Sequence, residues 1–135
     1  MKKILLDTNA YAAFKSGHKD VLTILQHADV IGMSVIVLGE LTSGFQAGSK
    51  YKKNMAELTT FLASPRINVF NVDTTTVSFY AKIYSTLRKK GKPIPTNGLW
   101  IAATAMQQGC SLCSFDKHFQ FVDNLVVVTT VGDLL

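Results

Sequence analysis

Hydrophobic and polar positions along this chain of 135 residues follow two periods. Short apolar runs, too short for a helix, predict buried strands of a parallel sheet. These runs cover residues 3–6, 30–34, 67–72, 111–114 and 125–129. The segments between them carry apolar residues three and four positions apart, which predicts helices. The helices are expected over residues 8–14, 20–28 and 35–46, between 49 and 65, between 73 and 91, and up to 108.

The ends of these helices carry local signals. A short polar side chain at a helix start accepts a hydrogen bond from a free backbone N–H. The candidates for this role are Thr8 or Asn9, Ser49, Asp73 or Thr74, and Thr96 or Asn97. Glycine is favoured just after a helix ends, which places two helix ends at Gly91 and Gly109.

Strands and helices alternate along the whole chain, which predicts an α/β fold with helices on both faces of a mainly parallel sheet. The length suits a single domain over residues 1–135, and 47% hydrophobic against 17% charged residues predicts a compact protein. No apolar run reaches the roughly 20 residues that a bilayer span needs. Asp7 and Asn9 interrupt the apolar run near the N-terminus, so we expect a cytoplasmic protein without a membrane partner.

The net charge of +5 favours a polyanionic partner such as nucleic acid. The basic residues form two runs, either of which also fits an ordinary solvated surface near a helix end. The candidate RNA-binding residues are Lys50, Lys52, Lys53, Arg88, Lys89, Lys90 and Lys92.

Cys110 and Cys113 form a CxxC pattern. They flank Ser111 and Leu112 within a predicted buried strand, where residues three apart point to opposite faces. No second CxxC accompanies them, so we do not expect metal or redox chemistry there.

Three acids stand where strands end. Asp7 follows the first predicted strand, Asp116 follows the strand 111–114, and Glu40 lies in the apolar stretch after the second strand. Ligands bind at the carboxyl ends of the strands in open parallel sheets, so these carboxylates can converge. Taken singly, Asp7 could serve only as a helix cap and Asp116 only in a turn. Taken together, they fit a divalent cation such as Mg²⁺, which prefers oxygen ligands.

Four motifs resemble the PIN-domain ribonucleases, and especially the VapC-type toxins of toxin–antitoxin pairs. They read LLDTNAYAAF, SVIVLGEL, PIPTN-x-LWIAA and SFDKHF, in this order along almost the whole chain. The resemblance implies a three-layer α/β/α fold, a homodimer and a cognate antitoxin. It also implies cleavage of transfer or ribosomal RNA that depends on Mg²⁺ or Mn²⁺.

The resemblance assigns functional residues by position. The family's acids match Asp7, Glu40 and Asp116, with Asp7 and Asp116 as metal ligands and Glu40 near the attacking water. Thr8 and Ser114 match small hydroxyl positions that support the site, and Asn97 matches an asparagine that precedes a further acid.

That further acid is absent, because Gly98 stands where the family has aspartate. Glycine is a poor helix former, and it offers no ligand to a metal. The sequence therefore predicts an attenuated nuclease. The alternative is an inactive PIN module that retains dimerisation and antitoxin binding.

Two other α/β classes fit less well. A receiver-like phospho-acceptor domain needs two adjacent acids after the first strand, where this chain has only Asp7. A flavodoxin-like cofactor binder needs a phosphate-binding loop after that strand, and none is present.

Overall fold

The computed structural model describes residues 1–134 and contains six α-helices and five strands over that range. The strands are β1 (Lys3–Leu6), β2 (Val30–Ser34), β3 (Ile67–Phe70), β4 (Ser111–Cys113) and β5 (Val127–Val128). The helices are α1 (Thr8–Lys15), α2 (Lys19–His27), α3 (Val35–Ala47), α4 (Tyr51–Leu62), α5 (Thr74–Lys90) and α6 (Thr96–Gln108). Two short 3₁₀ helices cover Lys117–Phe121 and Val131–Leu134.

The five strands form one sheet in the order β3-β2-β1-β4-β5, and every neighbouring pair is parallel. The chain moves from β1 outward to β3, then returns across β1 to β4 and β5. Right-handed crossovers in these two directions place their helices on opposite faces of the sheet. The predicted α/β fold with a parallel sheet and helices on both faces is confirmed.

The centre of the sheet forms the core. Ile4, Leu5 and Leu6 of β1 are fully buried, as a parallel strand covered on both faces requires. Helix α6 is also largely enclosed, with six of its residues buried between positions 99 and 105. Three of the six are alanines, whose small side chains allow neighbouring elements to approach closely. Helix α6 packs against α5, α3 and β4, which fixes the position of its N-terminus relative to the sheet.

The bounds of β1 and β2 agree with the sequence pattern, whereas the outer strands are shorter. Strand β3 ends at Phe70 instead of residue 72, and β5 covers only Val127–Val128 instead of 125–129. Pairing stops where the neighbouring strand stops, at Ser34↔Phe70 and Cys113↔Val128. Each outer strand has a partner on one side only, so its carboxyl end follows that partner and not its own apolar run.

Several predicted caps are wrong. Asp7 caps α1 in place of Thr8 or Asn9, and α4 begins after Lys50 with no side-chain cap from Ser49. Helix α6 begins after Pro95, so Thr96 and Asn97 lie inside its first turn. The cap at Asp73 is confirmed as a capping box with Thr76. The helix ends at Gly91 and Gly109 are confirmed, because both adopt the left-handed conformation that favours glycine.

Cys110 and Cys113 are buried free thiols. Burial raises the pKa of Cys110, and burial together with the nearby Asp7 raises the pKa of Cys113 to about 12. Both side chains therefore remain neutral at physiological pH and pack as small hydrophobic groups. No helix within residues 1–134 is long and apolar enough to cross a membrane.

Candidate active site

The reversal of strand order between β1 and β4 creates a cleft at the carboxyl edge of the sheet. Ligand sites in open parallel sheets lie at such a switch point, because the loops of the two strands diverge there. A cavity of about 320 Å³ opens at this place. Its polar lining includes Asp7, Thr8, Glu40, Asn97, Asp116 and His118, and Gly98 lies on the same wall as Asn97. The structure therefore brings together the three acids that the sequence singled out.

Asp7 is the most enclosed of the three acids, with 6% of its surface exposed. Its Oδ1 accepts a hydrogen bond from the backbone N–H of Thr8 at 2.8 Å. Its Oδ2 accepts one from the hydroxyl of Ser114 at 2.6 Å. Burial raises the pKa of Asp7, and the nearby carboxylates of Glu40 and Asp116 raise it further, against the lowering effect of both hydrogen bonds. A cation in the cavity would relieve this repulsion.

Ser114 joins two of the acids. Its hydroxyl donates to Asp7 and accepts a hydrogen bond from the backbone N–H of Asp116 at 3.0 Å. Ser114 itself is 1% exposed, so its geometry is fixed by packing. Asp116 then caps the 3₁₀ helix Lys117–Phe121 by accepting from the N–H of His118 at 2.9 Å. One buried hydroxyl thus bonds both the carboxylate of Asp7 and the backbone of Asp116.

Glu40 reaches the cavity from α3 and is oriented from two sides. The hydroxyl of Thr8 donates to Oε1 at 2.5 Å, and the side-chain amide of Asn97 donates to Oε2 at 3.3 Å. The sequence grouped Thr8, Asn97 and Ser114 as supporting residues. In the structure each of them hydrogen-bonds one of the candidate acids.

Gly98 occupies the first turn of α6, where the positive end of the helix dipole favours a carboxylate. A Cβ at this position would lie 3.5 Å from Cδ1 of Ile94 and 3.6 Å from the ring of Phe119. Both are ordinary van der Waals distances. The backbone at position 98 therefore accommodates a Cβ without displacing its neighbours.

Sequence reasoning missed His118. Its Nδ1 lies 3.0 Å from Oδ1 of Asp116, and its side chain is 55% exposed beside the cavity. The signal that could have found it is the spacing in SFDKHF, since a residue two positions after a capping aspartate lies next to that carboxylate.

The acids surround the cavity without forming a closed metal cage. Within residues 1–134, no three His, Cys, Asp or Glu side chains are grouped closely enough to hold a metal ion. Mg²⁺ ordinarily keeps several water ligands and takes only one or two carboxylates from a protein. Asp7 and Asp116, linked through Ser114, provide this kind of oxygen donor set.

The basic runs lie elsewhere. The described residues that line the cavity include no lysine or arginine, and Lys117 is not among them although it adjoins Asp116 in sequence. Lys90 forms an ion pair with Asp123, and the ammonium of Lys92 lies 5.0 Å from the ring centre of Phe121. Any RNA contact by these runs therefore lies outside the acidic cavity.

The chain is an α/β protein with a parallel sheet. Carboxylates line a cleft at the carboxyl ends of β1 and β4. The chain belongs to the PIN domain family, whose model matches residues 4–125. It is 30% identical to Ribonuclease VapC4 of Mycobacterium tuberculosis, over 73% of this chain and 75% of that protein. It is 29% identical to Ribonuclease VapC2 of Rickettsia felis, over 91% and 94% of the two chains.

The fold of this chain is also similar to that of a solved structure. VapBC-1 from nontypeable Haemophilus influenzae matches with 27% identity and a TM-score of 0.81. The match covers 93% of this chain and 96% of that chain. The family resemblance seen in the sequence is confirmed, as is the three-layer fold that it implied.

Proposed function

We propose that this chain is a metal-dependent endoribonuclease, the toxin of a toxin–antitoxin pair, acting in the cytoplasm as a homodimer on transfer or ribosomal RNA. The observation that carries this proposal is the grouping of Asp7, Glu40 and Asp116 around one cavity at the switch point. The similarity to two proteins named as VapC ribonucleases supports the reaction class. The similarity to VapBC-1 supports an antitoxin as partner.

Hydrolysis of a phosphodiester needs an activated water and a positive group beside the phosphoryl oxygens. Bound Mg²⁺ or Mn²⁺ supplies both functions. Asp7 and Asp116 would hold the ion, while the Ser114 hydroxyl links the carboxylate of Asp7 to the backbone of Asp116. Glu40, oriented by Thr8 and Asn97, would position the attacking water or accept its proton.

Gly98 lowers the activity in this proposal. A carboxylate at position 98 would face the same cavity as Asp7 and Asp116 and add a ligand or an electrostatic contact. Losing one such group commonly lowers a rate by about 100-fold or more. The origin of the glycine, whether natural or selected against a toxic activity, does not alter this expectation.

The test compares this chain with Gly98→Asp, both made by cell-free synthesis so that toxicity selects no further change. Each protein is incubated with total RNA in Mg²⁺, in Mn²⁺ and in EDTA. We expect Gly98→Asp to cleave RNA at least about 100-fold faster than this chain, and only with metal. Equal rates would show that Gly98 is tolerated. Cleavage in EDTA would exclude the metal-dependent mechanism.

The second candidate is a PIN module that binds an antitoxin without cleaving RNA. The observation in its favour is Gly98 itself, which leaves one wall of the cavity without charge. Absence of cleavage by both proteins, on total RNA and on isolated transfer and ribosomal RNA, would favour this candidate.

A further inference from the structure

A second cavity, of about 250 Å³, adjoins the acidic one. It lies between the end of α5, the segment 91–95 and the start of α6. Its lining is Tyr84, Leu87, Arg88, Pro93, Ile94 and Leu99. Ile94 also lines the acidic cavity, so the two cavities share a wall. We call this second cavity the Tyr84 groove.

The aromatic ring of Tyr84 borders the groove. Tyr84 is 47% exposed, and its ring lies nearly parallel to that of Tyr80, with centroids 6.4 Å apart and an interplanar angle of 10°. Tyr80 in turn stacks on Trp100 of α6, with centroids 4.0 Å apart. This contact with the half-buried Trp100 holds the aromatic row in place. Tyr84 is therefore the exposed end of a row of three rings.

A cation lies beside the exposed ring. Arg88 follows Tyr84 by one helical turn and lines the same groove. Within residues 1–134 its guanidinium forms no ion pair. The floor is apolar, because Leu87 and Leu99 are buried, and Pro93 stiffens the adjoining wall. An exposed aromatic ring, a free guanidinium and an apolar floor are the features with which proteins bind unpaired nucleotides.

We propose that the Tyr84 groove binds a nucleotide of single-stranded RNA next to the scissile bond. Its base would stack on Tyr84, and a neighbouring phosphate would pair with Arg88. The shared wall at Ile94 places this nucleotide beside the acidic cavity, so the groove orients the strand whose backbone is to be cut. The inference rests on the proposed ribonuclease function. It also predicts tolerance of base identity, since every base offers a face for stacking.

The test measures binding without cleavage. A fluorescein-labelled RNA of 12 nucleotides is titrated in EDTA, with anisotropy as one readout and the emission of Trp100 as another. Trp100 is the only tryptophan of the chain, so its emission reports on this aromatic row. We expect Tyr84→Ala to weaken binding about fivefold or more, because it removes one stacked base. Tyr84→Phe keeps the ring and should bind within about twofold of the parent chain.

Two controls separate the groove from a general effect. Val126→Ala truncates an exposed hydrophobic side chain, 55% exposed, outside both the groove and the two basic runs, and should leave affinity unchanged. Arg88→Gln should reduce the slope of log affinity against log salt by about 0.7, the value for one phosphate contact on a single strand. Lys82→Gln, elsewhere on α5, should lower that slope less.

Two results would overturn the inference. One is equal RNA affinity of Tyr84→Ala and Val126→Ala. The other is a change from dimer to monomer in sedimentation of Tyr84→Ala, which would assign this surface to a second copy of the chain. Failure of the proposed function is distinguishable, because it would appear as RNA binding that depends on Tyr84 without cleavage by Gly98→Asp.

Discussion

Two aspartates cap α-helices within residues 1–134, and their surroundings are opposite. Asp73 caps α5 at the surface, where hydrogen bonds from the Thr76 backbone and from Gln107 lower the pKa of its carboxyl. Asp7 caps α1 from a position that is only 6% exposed, and burial raises the pKa of its carboxyl. Both residues cap a helix, but the pKa of Asp7 is raised whereas the pKa of Asp73 is lowered.

The difference separates what a helix requires from what a site requires. A helix start needs only an oxygen that accepts a backbone N–H, which the exposed Asp73 provides at no electrostatic cost. Nothing in capping requires that Asp7 be buried beside Glu40 and Asp116, where each added negative charge raises its pKa. A carboxylate in such a place is a candidate functional group, since burial and crowding destabilise its charged form.

The largest expected effect comes from removing the charge of Asp7 alone. Asparagine caps a helix about as well as aspartate, so Asp7→Asn retains the local structure. In the Gly98→Asp background we expect RNA cleavage to fall at least about 100-fold, with no decrease in melting temperature in EDTA. Initial cleavage rates and thermal unfolding measure the two quantities. Asp73→Asn is the matched control and should leave the cleavage rate unchanged, and a similar loss in both variants would contradict the assignment.

A smaller effect is expected from the hydroxyl that joins the acids. Ser114→Ala removes the hydroxyl that donates to Oδ2 of Asp7 and accepts from the backbone N–H of Asp116. Mg²⁺ affinity or the cleavage rate should therefore fall about 10- to 100-fold. Metal titration of the cleavage rate in the Gly98→Asp background measures this. Thr104→Val removes another buried hydroxyl, on α6 and outside the acidic cavity. Equal losses in the two variants would show that the effect is one of stability only.

The smallest effect concerns the surface cap. The pKa of Asp73 in the folded state lies below its ordinary value of 3.8, so its ionised carboxylate stabilises the protein above that pH. This contribution is lost as the pH falls from 3.8 through the folded-state pKa. Asp73→Ala should therefore lower the melting temperature by roughly a few degrees at pH 7, and the difference should shrink as the pH falls below 3.8. The side chain of Asp73→Asn caps the helix but does not titrate. If the melting-temperature difference between Asp73→Asn and Asp73→Ala also vanished at low pH, ionisation of Asp73 would not be the cause.

Local signals predicted much of the fold. The bounds of β1 and β2 follow directly from their apolar runs, and α5 and α6 end at glycines that adopt positive φ. These signals act through the conformational preference of a residue or through bonds within one turn. Strand β5 was predicted too long, because its length depends on the register with β4.

The site was predicted only in part, because some of its contacts also depend on tertiary structure. The positions of Asp7 and Asp116 after strands were enough to expect that they meet, because parallel strands end at one edge. Residue order alone did not reveal that Ser114 lies between them, with its hydroxyl bonded to both. His118 was missed because its imidazole contacts Asp116 only when the chain turns into a 3₁₀ helix there.

The sequence by itself determined the alternation of strands and helices, the acids at strand ends and the glycine at position 98. Tertiary structure decided which side chains cap and which support the site. Thr8 donates to Glu40, and Asn9 accepts from the N–H of Phe115, so the cap of α1 falls to Asp7. The reason is physical: a polar side chain adopts the hydrogen bonds of its folded surroundings, and here the partners lie 32 and 106 residues away along the chain.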